Sequence, residues 1–82
     1  EVNIYPNPAN DKLAIDMQIT ESGTIQINFI NMMGQKLIQQ KVSAFGGQLK
    51  LITDVSHLPN GVYTIEFVVN NSKLHKRVII TR

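Results

Sequence analysis

The 82-residue chain contains no cysteine and no tryptophan. Without cysteine, no disulfide can supplement the core and no thiolate chemistry is open to it. No apolar run approaches the ~20 residues that span a bilayer, and no signal-peptide pattern is visible, so nothing points to direct membrane insertion. His57 and His75 stand far apart and beside no metal-ligand spacing. The six acids are scattered over turns and outward strand positions, not paired for acid–base work. Adjacency does not make Ser56-His57 a dyad, because nucleophile and base must meet in space and be oriented by a third group. Gly46-Gly47 leads into a strand pattern instead of a helix, which excludes a phosphate loop. Asn7, Asn10 and Asp11 offer one carboxylate to a calcium ion that wants 6–8 oxygen ligands, and turn chemistry explains the same residues. The two tyrosines and three phenylalanines fall mostly on inward positions and do not interleave with basic residues, so nucleic acid is not an expected partner. The residues therefore offer no enzyme, no cofactor site and no metal site.

Short period-two strands dominate what remains. Asp54–Val69 is the heaviest stretch and the one the others are expected to pack around. Its first half is a turn capped by Asp54 and stopped by Pro59-Asn60-Gly61. Its second half places Tyr63, Ile65, Phe67 and Val69 on one face. In chain order, Val2–Tyr5 reads as a short strand ended by Pro6-Asn7-Pro8. Lys12–Ile19 carries Leu13, Ile15, Met17 and Ile19 inward, and Glu21-Ser22-Gly23 reads as a tight connection. Thr24–Ile30 carries Ile25, Ile27 and Phe29 inward. Asn31-Met32-Met33-Gly34 is a turn signal. In Gln35–Val42 the adjacent Leu37 and Ile38 blur the inward face, as a bulge or a sheet-edge position would. Ser43–Gly47 reads as a loop with Phe45 lidding the core, followed by a strand at Gln48–Thr53. Lys73–Thr81 closes the chain with Leu74, Val78 and Ile80 in phase. Seven short strands at 8–12-residue spacing, without helical periodicity, predict an all-β fold: an immunoglobulin-like β-sandwich of about seven antiparallel strands. No linker or repeat divides the chain, so residues 1–82 form one expected domain, with a radius of gyration of roughly 12 Å.

Charge is uneven. Lys73, Lys76, Arg77 and Arg82 fall in the last ten residues without an acid, and the first 72 hold four basic residues against six acids. Such an end can attract an anionic partner. The plainer reading is a solvated final strand whose lysines discourage edge pairing.

Four segments together resemble the type A C-terminal sorting domain of the type IX secretion system of Bacteroidota. Ile4-Tyr5-Pro6-Asn7-Pro8-Ala9 is similar to its opening YPNP motif. Asn31-Met32-Met33-Gly34-Gln35 is similar to its middle turn, with Asn31 where many members carry Asp. Leu58-Pro59-Asn60-Gly61-Val62-Tyr63 matches its L-x-x-G-x-Y segment. Lys76–Arg82 is similar to its terminal motif, a lysine leading an apolar strand that ends in a basic residue. The resemblance implies a seven-stranded sandwich that follows an N-terminal cargo domain in a precursor; the chain's opening directly on strand-like sequence already reads Glu1 as a cut point within a longer precursor. It implies passage through the periplasm, recognition by the secretion machinery, export to the cell surface or beyond, and removal by a surface sortase. It implies no catalysis by the domain itself. On this reading Lys76, Arg77, Val78, Ile80 and Arg82, with main chain from Val78–Thr81, form the surface the machinery reads. Pro6, Asn7 and Pro8 would keep the entry stiff and accessible. Tyr5, Asn31, Gly34, Leu58, Gly61 and Tyr63 would be structural. The alternative is an accessory glycan-binding or adhesion module, for which Tyr5 and Phe45 are the candidate aromatics; a structural spacer is a third.

Overall fold

The computed structural model describes residues 2–82, without the Glu21 side chain. Five strands follow one another: β1 (Val2–Tyr5), β2 (Lys12–Ile30), β3 (Lys36–Asp54), β4 (Gly61–Val69) and β5 (Ser72–Ile80). All strand pairs are antiparallel. The count differs from seven because β2 and β3 each join two expected strands. Glu21–Gly23 and Ser43–Gly47, expected as connections, lie within strands.

The two long strands form one hairpin closed by the Asn31–Gln35 turn, and its pairing shifts register between Ile19 and Ser22. Thr20 and Glu21 lie on β2 against Gly46 alone on β3, the two-against-one count of a β-bulge. Gly46 and Gly47 sit at φ 86° and 87°, a left-handed region that costs a side-chain-bearing residue energy. Across this pair β3 changes phase. Val42 and Ala44 turn toward the core before it, Leu49, Leu51 and Thr53 after it.

The bulge divides the sheet into two halves. A three-stranded half pairs β1 and the end of β3 with Leu13–Met17 of β2. A four-stranded half runs from the start of β3 through Ile25–Ile30 of β2 to β4 and β5. The inward residues of both belong to one core, with Leu13, Ile15 and Met17 from the first and Ile27, Phe29, Ile65 and Phe67 from the second. Full burial of side chains of this size stabilises by about 1.5–3 kcal/mol each. A Thr53 hydroxyl to Gln40 amide bond of 3.3 Å joins the halves directly. The two faces thus form the all-β sandwich expected from the alternation, with a radius of gyration of 12.3 Å.

Leu37 is the extra residue of a second register shift, between Phe29 and Ile30, which explains its adjacency to the inward Ile38. Two side chains depart from expectation. Phe45 is 86% exposed because Ala44 takes the inward position beside it, so Phe45 lids nothing. Leu74 keeps the phase of Val78 and Ile80 and pairs with the buried Phe67, but is 43% exposed because β5 is an edge strand.

Candidate recognition surface

The four singled-out segments are scattered in sequence, and β5 draws them together. Pro6, Asn7 and Pro8 are exposed, yet the segment is tied down along the outer edge of β5. Asn7 Oδ1 accepts the Ile79 N–H at 3.0 Å, Ala9 N–H donates to the Ile79 carbonyl at 2.8 Å, and Thr81 N–H donates to the Ala9 carbonyl at 2.9 Å. This short parallel bridge covers the end of an edge strand that would otherwise offer unpaired main chain. Tyr5 lies on the outer face of the three-stranded half, with Lys50 Nζ 5.9 Å from its ring centre.

The Asp54–Asn60 turn is built as its residues predict. Asp54 Oδ1 accepts the Ser56 N–H at 2.9 Å; the Ser56 hydroxyl first, and then this backbone bond, hold its carboxyl below the ordinary value of 3.8. Leu58 is buried, and its N–H donates to the Val55 carbonyl. Tyr63 packs in the core while its hydroxyl donates to the Pro59 carbonyl at 2.5 Å. Gly61 opens β4 at φ 159°, close to extended.

Arg82 clamps this turn. Its guanidinium donates to the Leu58 carbonyl at 2.6 Å and to the Val55 carbonyl, and its Nε lies 3.4 Å from the Asp11 carboxylate. Its main chain pairs with the Asn60 side chain through N–H and carbonyl alike. Five groups on one side chain and its backbone make Arg82 a fastening between chain end and turn. Its partners Asp11 and Asn60 were not expected to meet it: the sequence marks both as turn formers, and Asp11 also as one oxygen ligand weighed for calcium.

The middle turn is equally well made. Asn31 Oδ1 accepts from Met33 and Gln35 N–H, both at 2.9 Å, and its amide donates to Gln35 Oε1 at 2.8 Å. Gly34 sits at φ 85°, where a Cβ would be strained. The turn presents Met32 and Met33 to solvent, each 84% exposed. A shallow groove of about 400 Å³ runs from this turn, past Val62 and Thr64, to Arg77 on β5. The second and fourth segments therefore share one surface feature.

Of the five residues expected to be read, Val78 and Ile80 are fully buried, so their side chains hold β5 to the core. Lys76 and Arg77 are exposed on opposite faces of β5, and Arg82 is spent on the clamp. Asn7 and Asp11, weighed for calcium, are engaged with Ile79 and Arg82. Among the described residues no group of three His, Asp or Glu could hold a metal. Among them too, no helix is long and apolar enough to cross a membrane. The exposed aromatics form no shared platform, because Tyr5 pairs opposite Ala14 and Phe45 opposite Ser22, about 27 Å apart along β2.

A family model described as the secretion system C-terminal sorting domain matches residues 3–81. The chain belongs to this family, whose members are the sorting tails of type IX secretion cargo and not catalytic domains. It is also 30% identical over 81 residues to an endo-acting ulvan lyase of Formosa agariphila, covering 98% of this chain. It spans 15% of that protein's length. A tail of this family marks its cargo precursor for the type IX system and for export across the outer membrane, to the cell surface or the extracellular space.

Proposed function

We propose that residues 1–82 act as one sorting domain read by the secretion machinery through the β5 edge. Lys76 and Arg77 supply charge, and main chain from Val78–Thr81 supplies shape. The convergence of all four segments on β5 carries this reading: Asn7 and Ala9 bond its edge, Arg82 bonds the Val55–Leu58 turn, and Arg77 shares a groove with Asn31 and Met32. Val78, Ile80 and Arg82 contribute by holding that edge in place. Asn7 and Ala9 already take the outer-edge main chain of Ile79 and Thr81, so strand addition to a partner sheet would use the rest of β5, from Ser72 to Arg77. Transit through the periplasm, an N-terminal cargo domain and removal by a surface sortase complete the proposal. The exposed Pro6–Pro8 segment lies between β1 and β2 and is bonded to β5, so it stiffens the entry of the domain, and the accessible chain a peptidase needs would lie ahead of β1.

A reporter with a signal peptide followed by residues 1–82 tests this in a bacterium with type IX secretion. Lys76→Ala/Arg77→Ala should keep the fold and retain the reporter inside the cell, with the intact domain exporting it. Export of the double variant at the intact level would overturn the assignment of the reading surface.

A further inference from the structure

The outer face of the four-stranded half forms a grid of three rows across four strands, read directly from the pairing register. One row is Lys36, Ile30, Thr64, Arg77; the next is Gln39, Asn28, Glu66, His75; the third is Lys41, Gln26, Val68, Lys73. The four basic residues occupy the four corners, all exposed. Strand spacing and rise per residue make this a square of about 14 Å on each side. Each corner stands opposite an uncharged neighbour: Lys36 faces Ile30, Lys41 faces Gln26, Lys73 faces Val68 and Arg77 faces Thr64.

One acid lies within the square, and it is already engaged. Glu66 accepts the Asn28 amide at 2.9 Å on one oxygen and meets His75 Nε2 at 3.2 Å on the other. Four cations against one carboxylate leave +3 on this face, His75 being counted neutral. Among the described residues, no carboxylate lies within 4 Å of a corner cation.

From this arrangement we propose that the face binds a polyanionic polysaccharide, a chain of sulfated or carboxylated sugars laid across the square. Charge complementarity places the anionic groups at the corners. The floor of amides and a hydroxyl, from Gln26, Gln39 and Thr64, suits sugar hydroxyls, while the buried Asn28 holds Glu66 and Gln26 in place beneath it. No Phe, Tyr or Trp stands in the grid to stack a nucleic-acid base, and its one imidazole, His75, is held against Glu66 at 3.2 Å. Ile30 and Val68 are half-buried, so no apolar side chain protrudes from it into a bilayer. The proposal is independent of sorting, because the purified chain alone should show the binding.

The experiment measures affinity of the purified 82-residue chain, which carries its own core, for dextran sulfate and for uncharged dextran at low salt. Dextran sulfate should bind, uncharged dextran should not, and affinity should fall steeply as salt rises. Lys41→Gln/Lys73→Gln should weaken binding at least tenfold, and Lys41→Arg/Lys73→Arg should retain it. Lys12→Gln/Lys50→Gln removes the same charge from the other half and should change affinity less than twofold. Equal losses in the two glutamine pairs would reduce the effect to net charge and overturn the site. Absence of binding, or equal or tighter binding to duplex DNA or to phosphatidylglycerol vesicles, would overturn the choice of polysaccharide.

Discussion

On the outer face of the three-stranded half, charges are matched across strands: Lys12 stands opposite Asp54 and Lys50 opposite Asp16. Gln48 adds a 2.7 Å hydrogen bond to Asp16. On the outer face of the four-stranded half, the cations stand opposite neutral residues and the acid lies at the centre. The same chain thus builds one face where opposite charges stand across strands, though among the described residues neither pair closes to 4 Å, and one that keeps an outward field. Opposite charges directly across a pair add roughly 0.2–1 kcal/mol, so the first arrangement serves stability. The second forgoes that gain. Its exposed cations are available to a partner, and Arg77 is shared between the square and the groove beside Met32.

The comparison breaks most completely if the halves lose their common core. Phe67→Ala should cost about 3–5 kcal/mol, with both halves melting in a single urea transition. Separate transitions would show that the halves fold independently. Next in size, Arg82→Ala should cost about 2 kcal/mol by releasing the Val55 and Leu58 carbonyls. Lys76→Ala and Arg77→Ala should stay within about 0.5 kcal/mol, as expected of solvated side chains. Equal costs for all three would remove the distinction between fastening and surface.

Charge reversal sharpens the contrast between the faces themselves. Lys50→Glu places a second carboxylate opposite Asp16 and should destabilise by roughly 0.2–1 kcal/mol. Lys41→Glu faces Gln26 and relieves crowding of like charge, so its denaturation midpoint should hold or rise. The smallest effect concerns Glu66. The Asn28 hydrogen bond, then that from His75, then Lys73 and Lys36, hold its carboxyl below the ordinary 4.5. A lowered folded-state value means the contribution is present above pH 4.5 and is lost as pH falls below it. A stability-against-pH curve should therefore be flatter for Glu66→Gln in that acid range, and an unchanged slope would contradict the assignment.

Alternation along the chain was enough to identify most of the core, but not Ala9, Ala44, Val55 and Leu58, which were read as turn or loop residues and are buried. Leu13, Ile15, Met17, Ile19, Ile25, Ile27, Phe29, Tyr63, Ile65 and Phe67 were expected inward and are buried. Side chains of a strand alternate strictly, so burial follows from a local rule. The turns at Asn31 and Asp54 were equally legible, because their caps bond residues two to four positions away. Family membership rested on four such local segments.

Long-range pairing was decided by the tertiary structure alone. Whether Ser43–Gly47 turned the chain or continued a strand depended on β2 being present to pair with it, and that pairing exposes Phe45. Nothing near Arg82 reveals that Val55, Leu58, Asn60 and Asp11 gather around it, 22 or more residues away. The charged square is likewise invisible in one dimension, where Lys36, Lys41, Lys73 and Arg77 form two separate pairs. Composition and alternation specify which side of a strand faces water. Register between distant strands specifies which charges become neighbours, and register exists only once the core has closed.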